Sequence, residues 1–205
     1  MIKVKVKLDP GAEMPHYAHT SDVGADVKAL RTTLLTGNGA EYTLNTLEDC
    51  RKMRDFHVAC AKLKIDTGVH VTPADGYYCE LIPNSRIAKT PFMYANSYGV
   101  IDPEYTGSMR VVLNCVNNIN PDDLAQFLPG RVVGQIIVRK RISADFEQVD
   151  TLEETQRGDG GFGSTAKRLS CYSCKHLLNL HECSILTVPP VDMCGCPSHQ
   201  FTDRR

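Results

Sequence analysis

The clearest signal of architecture in this chain is the segment LKIDTGVHVTPADGYYCELI, residues 63–82. Two short apolar runs, Leu63 to Val71 and Tyr77 to Ile82, flank the turn sequence Pro73-Ala74-Asp75-Gly76. Short runs of this kind between Gly, Pro, Asn and Asp residues are typical of β-strands. The segment therefore predicts two strands joined by a turn.

Short apolar runs separated by turn residues continue on both sides of this segment. Further strands are predicted at Arg110 to Val116 and Gln135 to Val138, with turns at Asn117 to Asp123 and Pro129-Gly130. Residues 1–8 alternate apolar and basic side chains with period two, which predicts a half-buried strand. Short strands at this spacing predict an all-β, jelly-roll-like barrel.

The segment from Thr36 to Phe56 departs from the strand pattern. Within it Thr46 precedes Glu48 and Asp49, and Cys50 and Met53 fall on the face of Leu47. This order predicts a short helix capped by Thr46. We interpret the segment as a surface excursion without catalytic duty.

Composition bounds the possible functions. With 205 residues, 42% of them hydrophobic, the chain can bury one good core, which suits one domain plus an appendage. The formal net charge of −1 gives no reason to expect direct polynucleotide or membrane binding, so any phosphate site must be local. The first strand is no signal peptide and no run reaches membrane-spanning length, so we expect an intracellular protein whose 9 cysteines are thiols or metal ligands.

Residues 157–165, RGDGGFGST, have the composition of a loop that closes over a nucleotide. Its glycines let backbone N–H groups approach phosphate oxygens, and Arg157 can bind a terminal phosphate. Ser164 and Thr165 can donate further bonds, and Phe162 offers a face on which a base can stack. The loop matches neither a Walker loop nor a dinucleotide fingerprint, and a plain glycine-rich linker is the alternative interpretation.

The segment Asn96 to Gly107 combines a glycine-containing turn, a β-prone run and the carboxylate of Asp102. This pattern predicts a β-hairpin whose main-chain groups can recognise a flat base. Together with this hairpin and the glycine loop, Gly24-Ala25-Asp26, Pro83 to Arg86 and Pro129 to Gln135 form five motifs in fixed order. In these motifs the chain resembles the trimeric deoxyuridine triphosphatase (dUTPase) family.

The resemblance implies a homotrimeric, jelly-roll-like β-barrel with active sites shared between subunits. It covers residues 1–165, with 36–56 as an insertion and 157–165 as a mobile flap donated by another subunit. It implies hydrolysis of dUTP to dUMP and pyrophosphate, which limits uracil incorporation into DNA and supplies dUMP for thymidylate synthesis. The expected location is the cytoplasm or nucleus, those of the host cell if the source is a large DNA virus; a divergent cellular source is the alternative.

The resemblance also assigns roles to individual residues. Asp102 matches the aspartate that activates the attacking water, and Asp26 matches the one that holds water around Mg²⁺. The residues expected to bind uracil and deoxyribose are Asn96, Gly99, Val100, Ile101, Tyr105 and Phe162. The residues expected to bind phosphate are Ser85, Arg86, Gln135, Arg157, Gly161, Ser164 and Thr165.

Two motifs depart from the family pattern. Asn84 stands where the second motif has arginine, and Arg86 follows two places later, on the same face if the strand is extended. In the fourth motif Arg131 and Val132 replace an acidic residue and an arginine, which removes an expected cation from that turn.

Two other functions remain open from the sequence. A dCTP deaminase of the same fold would fit the stretch Ser85 to Lys89 and the Ile101-Asp102-Pro103 turn, but Val112 stands where it needs a glutamate. A dUTPase-like binding or regulatory protein would use the fold for a partner instead of for catalysis.

Residues 166–205 form a Cys/His-rich extension beyond the family pattern. Candidate ligands for a structural Zn²⁺ are the cysteines Cys171, Cys174, Cys183, Cys194 and Cys196. Their spacing matches no specific zinc module, and an extension that packs apolar residues on the barrel is the alternative.

Overall fold

A computed structural model describes residues 2–53 and 61–161, together with the backbone of 177–179 and 182–183. The chain forms two compact units, Met1–Asp145 and Phe146–Arg205. The predicted boundary at Thr165 lies outside the described residues and stays a prediction.

The described part of the first unit is built mainly of short strands, as the sequence predicted. The strands are β1 Val4–Leu8, β2 Ala25–Lys28, β3 Arg31–Leu35, β4 Glu41–Thr43, β5 Lys62–Asp66, β6 Val69–Pro73, β7 Tyr77–Ile82, β8 Phe92–Tyr94, β9 Gly99–Ile101, β10 Arg110–Cys115 and β11 Val132–Lys140. The helices are α1 Leu47–Lys52, α2 Pro121–Ala125 and a 3₁₀-helix, Ser85–Lys89. In the second unit, β12 Leu177–Asn179 pairs antiparallel with β13 Glu182–Cys183.

The described strands of the first unit form three antiparallel sheets. One has five strands in the order β4-β3-β5-β10-β8, one has four in the order β2-β11-β7-β9, and β1 pairs with β6. All three sheets contribute to one apolar cluster, in which Leu34, Leu63 and Leu113 are fully buried. Because side chains alternate across a strand, the opposite faces remain available for polar residues.

Two sequence expectations about strands and turns were wrong in detail. The run 63–71 is two strands, because Gly68 turns the chain with φ +64° and β5 and β6 then join different sheets. The predicted turn at 117–123 contains the start of α2, whose N-terminus is closed by a capping box between Asn120 and Asp123.

The predicted helix in the insertion is confirmed as α1, with Thr46 as its N-cap and a reciprocal capping box to Asp49. Leu44 and Cys50 of this segment are fully buried, and α1 contacts α2. The insertion therefore contributes to the core, and its interpretation as a mere surface excursion was wrong. Among the described residues no helix is long and apolar enough to cross a bilayer.

Replacing Gly68 with alanine is expected to lower the free energy of unfolding by about 2–3 kcal/mol. The left-handed backbone disfavours a side chain, and a Cβ would overlap Leu30 Cδ2 and lie 2.9 Å from Ala12 Cβ. Urea denaturation measures the loss.

Gly76→Ala is the matched control, because Gly76 has φ +77° but no atom lies within 4 Å of its Cβ position. It should cost only the backbone strain, about 1 kcal/mol. Equal losses in the two variants would contradict the packing argument.

Candidate active site

Four of the five sequence motifs meet on the four-stranded sheet. Asp26 lies on β2, Gln135 on β11, the second motif follows β7, and the third motif contains β9. In the register of this sheet Gln135 stands opposite Asp26 on one side and opposite Ile82 on the other. Backbone pairing thus aligns Asp26 of the first motif, Gln135 of the fourth motif and Ile82, the residue before the second motif, in one row.

Asp26 and Gln135 are joined by their side chains. Gln135 Nε2 donates to Asp26 Oδ1 at 3.1 Å, and both residues are half-buried. A Cβ on Gly24 would lie 3.0 Å from the Gln135 side chain, so Gly24 leaves the space that Gln135 occupies. Within the described part of the chain the other carboxylate oxygen of Asp26 accepts no hydrogen bond and can bind water.

The second motif is not an extended strand. Asn84 caps the 3₁₀-helix Ser85–Lys89 by accepting a hydrogen bond from the Arg86 N–H at 3.2 Å. Because the chain turns there, Asn84 and Arg86 do not lie on one face of an extended strand, so the strand geometry considered for Arg86 does not apply. Ser85 is exposed at the start of this helix.

Arg86 instead reaches the residues between α2 and the start of β11. Its Nη2 donates to the carbonyl of Gln126 at 3.3 Å and to that of Val132 at 3.1 Å. Arg86 and Arg131 line one open cavity of about 350 Å³ together with Asp122, Ala125 and Gln126. The fourth motif has lost an arginine at Val132, but Arg86 brings a guanidinium to the same turn.

The third motif is an edge strand rather than a self-paired hairpin. β9 pairs with β7, whereas the preceding strand β8 pairs with β10 of the other sheet. Gly99 and Ile101 face inward, Val100 is exposed, and Asn96 is exposed in the turn before them. An edge strand leaves one row of main-chain N–H and C=O groups available for a flat, hydrogen-bonding ligand.

Asp102 and Tyr105 lie close together after β9. The Tyr105 N–H donates to the Asp102 carbonyl at 3.0 Å. The Asp102 side chain is exposed and, in the described part of the chain, accepts no hydrogen bond from protein. A carboxylate with free oxygens can accept a proton from water.

Sequence reasoning missed the groups that hold the segment after Tyr105. His70 Nδ1 lies 2.8 Å from the Thr106 carbonyl oxygen, and His70 Nε2 lies 3.1 Å from Asp9 Oδ1. Ser108 Oγ donates to Asp66 Oδ1 at 2.5 Å. His70 and Thr106 are 36 residues apart along the chain, and Asp66 and Ser108 are 42 residues apart. Local sequence patterns therefore could not have predicted these contacts.

Asp66 is the charged centre of this anchoring. Burial by itself raises the pKa of the carboxyl group, but hydrogen bonds from Ser108, Arg31 and the Gly68 N–H outweigh burial. They lower the pKa from 3.8 to about 2. Arg31 Nη2 donates to Asp66 at 2.9 Å and lies 3.6 Å from Asp9, so one cation serves both carboxylates.

The glycine loop belongs to the second unit. Arg157 Nε donates to the Gly160 carbonyl at 3.1 Å, and Arg157 and Gly161 are both exposed. The other loop residues, Phe162, Ser164 and Thr165, lie outside the described residues, as do the side chains of the five candidate zinc ligands. Within the described residues no three His, Cys, Asp or Glu side chains are grouped to hold a metal ion.

Within one chain the pairing of β9 does not bring its end beside Gln135. Gly99 stands opposite Leu81, one row beyond Ile82, so Ile101, the last residue of β9, is three rows from Gln135 along the sheet. Three rows amount to roughly 10 Å along the strands, and two strand spacings amount to about 10 Å in the perpendicular direction. The backbones of Ile101 and Gln135 are therefore roughly 14 Å apart along the sheet surface, and Asp102 follows Ile101.

Solved structures share this fold. A Staphylococcus bacteriophage 80alpha dUTPase with dUPNHPP is similar over 79% of this chain and 97% of its own, with TM-score 0.59 and 22% identity. A mutant dUTPase from phage phi11 of S. aureus, described with a structural Mg(II) ion, is similar over 74% of this chain and 99% of its own, with TM-score 0.54 and 18% identity. The predicted jelly-roll-like fold is confirmed.

The dUTPase family model matches residues 49–166, which is more than half of the chain. The chain therefore belongs to the dUTPase family, and the resemblance seen in its motifs is confirmed. The Escherichia phage T5 deoxyuridine 5'-triphosphate nucleotidohydrolase is 32% identical over 80% of this chain and 99% of its own length. That of Fusobacterium nucleatum is 28% identical over 81% of this chain and 98% of its own.

Replacing Asp66 with asparagine is expected to remove a pH-dependent part of the stability. The folded pKa lies below 3.8, so the ionised carboxylate stabilises the fold above that pH, and this contribution disappears as pH falls towards 2. After discounting for solvent screening, the contribution is on the order of 1 kcal/mol. Urea denaturation of both proteins between about pH 5 and pH 2 measures it.

The stability difference between wild type and Asp66→Asn should shrink across this interval. Asp75→Asn removes the same charge at an exposed turn position, where no hydrogen bond to the carboxylate exists in the described residues. A difference that stays constant from the upper to the lower end of the interval would show that Asp66 is not held ionised.

Proposed function

We propose that this protein hydrolyses dUTP to dUMP and pyrophosphate through attack of an Asp102-activated water on the α-phosphorus. The reaction limits uracil incorporation into DNA and supplies dUMP for thymidylate synthesis. The single observation that carries the proposal is the assembly of four family motifs on one sheet, with Asp26 and Gln135 joined side by side.

Asp102 is the proposed general base. Its exposed carboxylate, without a protein hydrogen-bond donor in the described residues, is free to orient a water and take its proton. Positioning and electrostatics supply most of the acceleration in phosphoryl chemistry, so a single placed carboxylate suits this task.

Main-chain groups of the β9 edge are proposed to select uracil. Their donors and acceptors, with the Asn96 amide, would leave buried groups unpaired if cytosine were bound. Tyr105, next to Asp102, would pack against the deoxyribose and exclude a 2′-hydroxyl. Phe162, from the loop, would stack on the base.

Phosphate binding is proposed for two groups of residues. Ser85, Arg86 and Gln135 lie where β7 and β11 meet the second and fourth motifs. Arg157 and Gly161 of the glycine loop, with Ser164 and Thr165, would close over the phosphates. The exposed Arg157 has guanidinium nitrogens beyond Nε, which already donates to Gly160.

The carboxylate of Asp26 is compatible with a Mg²⁺ ion that is held mainly by the phosphates of the substrate. Mg²⁺ keeps several waters and binds through few carboxylates plus substrate phosphates. The Asp26 oxygen that accepts no hydrogen bond from the described residues can accept one from such a water. When bound, the ion supplies positive charge that offsets the charge of the triphosphate. Asp26 is itself oriented by the Gln135 amide.

Shared sites in a homotrimer are proposed from the same geometry. β9 ends roughly 14 Å from Gln135 in one chain, which supports a site in which Asp102 acts with the phosphate-binding residues of a neighbour. The segment after β11 carries the exposed apolar side chains Ile142, Phe146, Val149 and Leu152, between 51% and 93% accessible. Exposed apolar side chains of this kind suit contact with another subunit.

The first experiment measures pyrophosphate release from dUTP, dCTP, dTTP and UTP by wild type and Asp102→Asn, with Mg²⁺ and with chelator. Wild type should release pyrophosphate from dUTP alone, and chelation should abolish release. Asp102→Asn should bind dUTP but turn it over at least a hundredfold more slowly, because an amide cannot accept the proton.

Wild-type turnover in Asp102→Asn would remove this residue from the mechanism. No release from dUTP by wild type would favour the binding-protein function, and ammonia from dCTP would favour the deaminase. The deaminase lacks support at Val112, which lies on β10 opposite Lys64, in the other sheet from β9.

Arg86→Ala should raise the Michaelis constant for dUTP about tenfold or more, whereas Lys89→Ala should raise it less than about threefold. Both changes remove one positive charge from the same 3₁₀-helix, but only Arg86 lines the cavity beside β11. Steady-state kinetics on the two variants makes the comparison. Equal increases in the Michaelis constant would mean that dUTP binding depends on the total charge of the helix and not on the position of the Arg86 guanidinium.

A further inference from the structure

Tyr105 lies back over its own loop. Its hydroxyl donates a hydrogen bond to the Ser108 carbonyl at 3.0 Å. Its ring thereby lies over Gly107, the residue before Ser108. A Cβ at Gly107 would overlap the Tyr105 hydroxyl oxygen and lie 2.6 Å from Cζ and 3.0 Å from Cε2. The observed position of the ring therefore requires that residue 107 has no side chain.

The backbone on both sides of Gly107 is fixed. Thr106 before it is tied through its carbonyl to His70, which is also within hydrogen-bonding distance of Asp9. Ser108 after it is 5% exposed, and its hydroxyl donates to Asp66. An added side chain at 107 therefore cannot be accommodated by a shift of the backbone, and the half-exposed Tyr105 ring must move.

The backbone at Gly107 is itself permissive. Its φ does not lie in the left-handed region, unlike that of Gly68 or Gly76. An alanine there meets no conformational penalty of its own. The three atoms nearest to a Cβ at Gly107 all belong to the Tyr105 ring and hydroxyl, so the main effect of Gly107→Ala falls on Tyr105.

We infer that Gly107 is a positioning residue for sugar selectivity: it admits the Tyr105 ring to a fixed place from which the ring discriminates deoxyribose from ribose. The inference rests on the proposed function, in which Tyr105 faces the sugar. The ring is positioned before substrate arrives, because the Ser108 carbonyl and the anchored loop hold it in the free protein. His70 and Asp66 act indirectly, by fixing the two neighbours of Gly107.

The test compares kcat/KM for dUTP and for UTP in wild type, Gly107→Ala, Tyr105→Leu and the double variant. Gly107→Ala should lower the dUTP to UTP ratio about tenfold or more, because a displaced ring no longer excludes the 2′-hydroxyl. In the Tyr105→Leu background the same alanine should change the ratio less than about twofold, because the ring it displaces is gone.

Thr106→Ala is the matched control. It alters the adjacent residue, but the Thr106 side chain is exposed and makes no hydrogen bond among the described residues. Its ratio should stay within about twofold of wild type. A ratio that falls as far in Thr106→Ala as in Gly107→Ala would show that general loosening of the loop, and not the ring, is measured.

Two outcomes overturn the inference while leaving dUTP hydrolysis intact. One is an unchanged ratio in Gly107→Ala, and the other is an equal effect of the alanine with and without the Tyr105 ring. Failure of wild type to hydrolyse dUTP would instead overturn the proposed function itself.

Tyr105→Phe provides an independent variant in case Gly107→Ala does not fold, which thermal denaturation will reveal. It removes only the hydroxyl that donates to Ser108. Without this bond the ring is held less firmly, and the ratio should fall about threefold. An unchanged ratio in Tyr105→Phe would show that the bond to Ser108 does not set selectivity.

Discussion

The placement of the site depends on the antiparallel pairing of β11 between β2 and β7. This pairing sets Gln135 opposite Asp26 and Ile82 and leads β7 into the 3₁₀-helix. Gly134 permits it, since a Cβ there would overlap the Tyr94 hydroxyl and lie 2.8 Å from the Ile82 carbonyl. Side chains alternate along a strand, so a slip of one residue would turn Gln135 into the core and an isoleucine towards Asp26.

The insertion and the site are parts of one structure. α1 contacts α2, and the segment after α2 supplies the Gln126 carbonyl that accepts a hydrogen bond from Arg86. Buried Leu44 and Cys50 join the insertion to the core, while Leu124 of α2 is buried in the same cluster. The surroundings of the relocated Arg86 guanidinium thus depend on a segment that looks dispensable when the motifs alone are considered.

Two neighbouring parts of the site differ in how they are held. Asp102 has an exposed side chain without a protein donor in the described residues, whereas the loop after it is anchored at Thr106 and Ser108. The base proposed at Asp102 must be free to accept a proton, whereas the ring proposed to discriminate between sugars must be held in place. Because the hydrogen bonds to Asp66 lower its pKa to about 2, the second anchor stays charged even at acidic pH, where an ordinary carboxyl group begins to protonate.

The sequence by itself determined the strand-rich fold, the capped helix α1 and the identity of most candidate site residues. These follow from local signals: alternation, turn residues, a capping box and short motifs, all of which act over a few positions. Only the tertiary structure decided that 63–71 is two strands, that the second motif is helical, and that Arg86 serves the turn at Val132. Only the tertiary structure showed that His70 contacts Thr106 and that Asp66 contacts Ser108. Sheet pairing joins residues that are far apart along the chain, and local sequence patterns do not report such contacts.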